Sequence, residues 1–234
     1  MKTKLSILGR GNVAKSLNQA LVAAGYKVVQ MWHLGKEILP ADVYFVCVPD
    51  NAIAEVVNLL PENAAWVHCA ANFDEQIFPH KQKAIFYPFM TFSNGFDVDW
   101  KKIPITVDST NIVFQQKMCQ IASDISNFVN IYTRKQLEYL HLSAVFACNF
   151  TNFLWTVAED ILQQQNIDFE EVKPLIRQCL KKIETQSPKN SQTGPAVRND
   201  VAVIEKQFLL TPEKYRKIYR LLTTEIIKSG NLIK

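Results

Sequence analysis

One short turn constrains this chain more than anything else in it. Gly9-Arg10-Gly11-Asn12-Val13-Ala14 follows the apolar run Lys4 to Leu8, which reads as a strand. Val13, Leu17, Ala20, Leu21 and Ala24 then recur at helical spacing, and Gly25 stops the helix. The first glycine permits a tight strand-to-helix turn. The second lets a ligand approach the backbone, and the small Ala14 lets helix and strand pack closely. This is the G-x-G-x-x-A form of the dinucleotide fingerprint, with the pyrophosphate expected on the free N–H groups of the helix. Gly9, Arg10, Gly11, Asn12, Val13 and Ala14 are therefore expected cofactor-binding residues.

The rest of the first half keeps the same alternation. Lys27 to Trp32 and Val43 to Val48 read as strands, Asp50 to Leu60 as a helix, and Ala64 to Cys69 as the next strand. Ala84 to Tyr87, Ile103 to Val107 and Phe128 to Tyr132 are later strands, with a helix from Asn111 to Ser126 between the last two. Continuous apolar strands alternating with helices predict an α/β fold, a doubly wound parallel sheet of Rossmann type. Near Thr133 the pattern changes. Helices are expected over Arg134 to Gln165, Phe169 to Glu184 and Thr211 to Ser229, with a shorter one through Val203 and Phe208. The expected organisation is a dinucleotide-binding domain, 1–133, followed by an all-α substrate and dimerisation domain, 134–234.

Composition removes other classes. The 234 residues are 48% hydrophobic and 21% charged, as in an ordinary globular protein with a real core. Twenty-six basic against 22 acidic side chains leave +4, too small a bias to argue for nucleic acid. The N-terminus lacks the apolar region of a signal peptide, so the cytoplasm is expected. The uncharged run Tyr139 to Ala158 carries His141, Ser143, Asn149, Thr151, Asn152 and Thr156. That polar load argues against a membrane span and for a helix buried in protein. Five scattered cysteines and four scattered histidines show no metal-ligand spacing, and no metal is expected.

Cofactor choice is read at the end of the second strand. NAD-binding chains place an acid there to hold the ribose 2′-hydroxyl. Here Val29-Gln30-Met31-Trp32-His33 has none before Glu37, and Arg10, His33 and Lys36 can neutralise a 2′-phosphate. NADP (NADPH) is therefore the expected cofactor, with Trp32 and His33 beside it. Val48-Pro49 ends the third strand next to the adenosine half. Asp50 reads as an N-cap. His68 and Asn72, at the end of the fourth strand, fall where a doubly wound sheet binds the nicotinamide end.

The fingerprint, Val48-Pro49-Asp50 and Tyr87-Pro88-Phe89-Met90-Thr91-Phe92 resemble the pyrroline-5-carboxylate reductase superfamily. Leu140 to Phe150 and Thr193-Gly194-Pro195-Ala196-Val197-Arg198-Asn199-Asp200 add a closer resemblance. It is to bacterial Rossmann-like NADP oxidoreductase-type proteins with an all-α C-terminal domain of unknown function, related to deazaflavin-dependent NADP reductases. The resemblance implies NADP binding and a homodimer built through the helical domain. Two positions depart from that group. Ala71-Asn72 replaces a Ser/Ala-Gly turn, and Asn199 stands where glycine is usual.

At 3.6 residues per turn, His141, Val145, Cys148 and Asn152 share one helical face, with Asn149 on its flank. His141 is the candidate general acid or base. Tyr87, Asn149, Asn152 and Arg198 are candidate substrate-binding residues. Arg198 either clamps a carboxylate or pairs with Asp200 or Glu205. The β-hydroxyacid dehydrogenases use a lysine four residues before an asparagine. Val145 and Cys148 occupy those positions here, so that mechanism is missing its base. The leading reading is an NADP-dependent oxidoreductase acting on a small molecule in an interdomain cleft, with neither nucleic acid nor membrane as partner. The alternative is a non-catalytic NADP-binding dimer that senses redox state or binds a partner.

Overall fold

A computed structural model describes residues 2–231. Strands β1 (Lys4–Leu8), β2 (Lys27–Trp32), β3 (Val43–Val46), β4 (Ala65–His68), β5 (Gln82–Pro88), β6 (Ile105–Asp108) and β7 (Val129–Asn130) form one sheet, ordered β2-β1-β3-β4-β5-β6-β7. The order reverses at β1, so β1 and β3 diverge to opposite sides in chain order. That is the switch point at which open α/β sheets bind ligands.

Helices cover both faces because the strand side chains alternate. Leu5, Ile7, Phe45, Val67 and Phe86 pack against α1 (Asn12–Ala23) and α3 (Ile112–Ile125) through Leu17, Leu21, Met118 and Ile121. Leu8, Tyr44, Val46 and Trp66 face the other way, onto Ile53, Val56 and Val57 of α2 (Asp50–Val57). Neighbouring strand residues thus serve two cores, as the two-residue period requires.

The sheet departs from the all-parallel expectation at one end. β6 runs antiparallel to β5, with Pro88 opposite Ile105, and β7 is parallel to β6. The cause is the 89–104 connection, which carries only a 3-10 turn at Trp100–Lys102. A parallel neighbour needs a crossover long enough to return along the sheet. Without a helix there, β6 comes back beside β5 in the opposite sense.

The chain divides into two compact units between Ala144 and Val145. That division falls one helix beyond the change of pattern at Thr133. Helix α4 (Arg134–Ala144) stays with the first unit because Leu137 packs on Ala71 and Ile85. The expected long helix is interrupted by a π-helical turn at Val145–Phe150 before α5 (Thr151–Gln163). The second unit continues with α6 (Lys173–Ile183), the short α7 (Pro188–Ser191), α8 (Val201–Leu210) and α9 (Arg216–Asn231). Asp160 ties α5 to the start of α9 by accepting from Lys214 Nζ at 2.6 Å and from the Tyr215 hydroxyl.

The uncharged run is not a buried helix. Tyr139, Leu142, Phe146, Phe150, Phe153 and Leu154 are all exposed. Those six side chains lie on the surface, while Leu140, Val145, Trp155 and Val157 are half-buried. Among the described residues, no helix is long and apolar enough to cross a membrane.

Candidate functional site

The site begins at the glycine turn. Gly9 has φ +144, and a Cβ there would overlap the Cys47 carbonyl oxygen, so only glycine fits against β3. Gly9 N–H donates to the Trp32 carbonyl at 3.0 Å, and Cys47 N–H to the Leu8 carbonyl at 2.8 Å. These bonds pin the ends of β1, β2 and β3 together. Gly11 is different: a Cβ would meet nothing within 4 Å, because the turn opens onto a groove. The first bond of α1 runs from Lys15 N–H to the Gly11 carbonyl. The N–H groups of Asn12, Val13 and Ala14 therefore have no partner within the helix, and with the helix dipole they favour an anion. The Asn12 side-chain amide donates to the Phe92 carbonyl at 3.1 Å, holding the 89–104 connection to the turn.

Two adjoining cavities lie along this turn. One, of about 420 Å³, is lined by the glycine turn from Gly9 to Val13, by Cys47 to Asp50, and by Cys69, Ala70 and Phe92. The other, of about 220 Å³, is lined by Gly9, Arg10, Trp32, His33, Leu34, Val48, Pro49, Ala52, Glu55 and Val56. They share Gly9, Arg10, Val48 and Pro49. The first has the anion-binding helix end that a pyrophosphate needs. The second has an apolar wall suited to a purine and two basic side chains at its rim. Those features fit a dinucleotide. A larger cavity of about 570 Å³, between the C-terminal half of α1 and residues 97–101, lacks any such anion-binding helix end.

The sequence candidates divide clearly. Gly9, Arg10, Gly11, Asn12, Val13, Val48 and Pro49 line the larger part of the groove, and Trp32 and His33 the smaller. Ala14 is fully buried beneath the turn, where its size serves packing. His33 Nδ1 donates to the Leu34 carbonyl at 3.1 Å, which leaves Nε2 for a ligand. Lys36 lines neither cavity; its carbonyl accepts from Trp32 Nε1 at 2.6 Å. Asp50 is not the cap but the first residue of α2, after Pro49, and it faces the groove. Cys47, Cys69 and Phe92 were not expected there. The first two follow from strand register, since both stand just past the carboxyl ends of β3 and β4.

His68 is not at the groove. Its ring is completely buried, with Nδ1 accepting from Ala70 N–H at 3.3 Å and Nε2 lying 3.2 Å from Glu75 Oε2. With Nδ1 accepting, Nε2 is the nitrogen that donates to the Glu75 carboxylate. Arg134 on α4 also binds Glu75 Oε2 and donates to the Phe73 carbonyl at 2.6 Å. Burial alone would push the Glu75 carboxyl up. Hydrogen bonds from His68 and the backbone, with the Arg134 charge, outweigh it and bring the carboxyl from 4.5 down to about 2. His68 thus belongs to a buried clasp between the segment after β4 and α4.

A second polar pair lies at the carboxyl end of β5, on the same edge of the sheet as the glycine turn. The Tyr87 hydroxyl, at the carboxyl end of β5, is 2.9 Å from His141 Nδ1 on α4. Burial first, then the nearby Asp50 carboxylate, raises the Tyr87 pKa above its usual 10.0. Neither Tyr87 nor His141 lines the two cavities. Asn149, Asn152 and Arg198 are exposed on the second unit. The single face drawn through His141, Cys148 and Asn152 assumed 3.6 residues per turn, and the π turn between them breaks that register. Asn199, the departure from glycine, has φ +52, the left-handed conformation asparagine tolerates.

Comparison with solved structures gives a consistent fold. A protein from Bacteroides fragilis, named as an NADP oxidoreductase, is 30% identical with a TM-score of 0.90 and covers 97% of this chain and 98% of its own. A Thermotoga maritima protein is 22% identical (TM-score 0.76), covering 97% and 98%. An imine reductase from Myxococcus stipitatus, in complex with NAD+, is 15% identical (TM-score 0.62), covering 99% and 95%. No curated protein matches the chain. The family model described as "Domain of unknown function (DUF2520)" matches residues 103–226, more than half of the sequence, and the chain belongs to that family.

Proposed function

We propose that this chain is an NADP-dependent oxidoreductase acting on a small molecule. The observation that carries the reading is the groove at the switch point, where an open helix end and the Gly9–Gly11 turn offer backbone N–H groups to a pyrophosphate. The name of the Bacteroides fragilis protein points the same way. Preference for the 2′-phosphate is supported by Arg10 and His33 at the smaller cavity and by the lack of an acid at the end of β2. Glu55, on α2, is the acid among that cavity's lining residues.

When bound, the cofactor supplies or accepts a hydride. Tyr87 holds the accompanying proton at its phenolic oxygen, and its raised pKa keeps that proton on through the neutral range. His141 Nδ1, in hydrogen-bond contact, returns a proton to Tyr87 after each transfer. Tyr87 is held at the carboxyl edge by its place in β5, opposite Thr106 of β6. Asn149, Asn152 and Arg198 are proposed contacts for substrate.

The partner we propose for the helical unit is a second copy of the chain. Phe146, Phe150, Phe153 and Leu154 are all exposed along one helical stretch, and large apolar side chains exposed together mark an interaction surface. Light scattering tests it, with a dimer expected and a monomer at micromolar concentration refuting it. We also propose a reducing compartment such as the cytoplasm, the setting that five widely spaced cysteines without a pairing pattern suit.

Calorimetric titration with NADPH, NADP, NADH and NAD tests the cofactor reading. Binding of the phosphorylated forms at least about tenfold tighter is expected. Arg10→Ala should erase most of that difference while leaving NADH affinity within about twofold. Absence of binding by all four would refute the reading.

A further inference from the structure

Two thiols stand side by side in the wall of the groove, and the hydride chemistry has no use for them. β3 and β4 pair in parallel register with Val46 opposite His68, so Cys47 and Cys69 are the next opposing residues. Neighbouring strands lie about 4.8 Å apart. That is inside the roughly 4.4–6.8 Å range of Cα separations that disulfides span. The two Sγ atoms are 3.6 Å apart. Cys47 is buried behind the Gly9 turn, while Cys69 is partly open to the groove. Cys119, Cys148 and Cys179 take no part in the lining.

We propose that Cys47 and Cys69 form a paired-thiol site at which a hydroperoxide closes a disulfide between the ends of β3 and β4. Cys69 reacts first because it is the sulfur that the groove exposes. Its sulfur bonds to one peroxide oxygen, the O–O bond breaks, and the other oxygen leaves as water or alcohol. Cys69 is then a sulfenic acid. The Cys47 sulfur attacks the Cys69 sulfur, the S–O bond breaks, and the oxygen departs as water with the Cys47 proton. The two thiols lose two electrons and two protons, and the hydroperoxide takes up both. The hydrogen bond to Cys69, together with burial, raises the Cys47 pKa, so Cys47 stays a thiol until a sulfenic neighbour accepts its attack. A dinucleotide in the groove would cover Cys69 and guard the pair. That guarding, unlike the pair itself, rests on the function proposed above.

The test uses the reduced full-length protein and hydrogen peroxide. After alkylation and digestion, mass spectrometry should find a peptide joining Cys47 to Cys69 and a mass lower by two hydrogens. This product should precede any change at Cys119, Cys148 or Cys179. In Cys47→Ala, dimedone should trap the sulfenic acid on Cys69. Free thiols at both positions after another cysteine has reacted would overturn the inference, as would Cys69 passing to sulfinic acid without a cross-link. The wild-type result decides this even if the variant does not fold. NADPH at about a hundred times its Kd should slow the cross-link at least about tenfold. An unchanged rate would leave the thiol pair standing and remove the dinucleotide from above Cys69.

Discussion

Glu75→Gln removes one charge from a position that is 3% exposed. The carboxylate there accepts from His68, Gln76 and Arg134, and its pKa falls from 4.5 to about 2. Each pKa step of one is worth about 1.4 kcal/mol. The ionised form therefore contributes about 3 kcal/mol, in the range measured when one partner of a buried pair is removed. The sign follows from the depression. Because the folded pKa lies below the unfolded one, the contribution is complete above about pH 4.5 and is lost as pH falls toward 2. Urea unfolding of both forms can be followed by tryptophan fluorescence, since Trp32, Trp66 and Trp100 all lie in the first unit. The gap between wild type and variant should be about 3 kcal/mol at pH 7 and shrink to about 1 kcal/mol at pH 3. A gap that stays constant across that range would show that Glu75 acts by packing, and the electrostatic account of the clasp would fall.

The two glycines of the turn should fail in opposite ways. Gly9→Ala should lower stability by at least about 2 kcal/mol, through overlap with Cys47 and a strained φ. Gly11→Ala should leave the urea midpoint nearly unchanged, yet weaken NADPH at least about tenfold in calorimetry, because its methyl occupies the groove. Tyr87→Phe should cut turnover at least about tenfold with the NADPH Kd unchanged within about twofold. In wild type, the Tyr87-dependent rate should stay level up to about pH 10 and decline only above it, since a raised pKa keeps the donor protonated. A rate falling through pH 8 would assign the proton to another group.

The glycine turn was legible because its chemistry is local. Gly9 and Ala14 are each required by packing at the turn, Gly11 leaves its groove side open, and β1 and β2 have bounds that match the apolar runs. The direction of β6 was not legible, since it depends on whether 89–104 contains a helix, and those residues have mixed signals. His68 looked like a ligand because its partners, Glu75 and Arg134, are recognisable only once α4 is folded against the segment after β4. The polar face of the long helix was drawn with one helical period, and a single π turn cannot be read from an uncharged, aromatic-rich run. The pairing of Cys47 with Cys69 was implicit in two parallel strands of known register, but that register exists only in the sheet.

The reversal at β6 has a consequence for how proteins with this fold can diversify. Because Pro88 faces Ile105, the 89–104 connection starts and finishes on the same rim as Gly9 and Tyr87. Its two ends are clamped, so lengthening it costs only the slow logarithmic rise of loop-closure entropy. Residues can be added or exchanged across its exposed middle, 93–97, without disturbing a single strand pair. New substrate preferences can arise in that stretch by insertion while the glycine turn and the sheet beneath it are inherited intact.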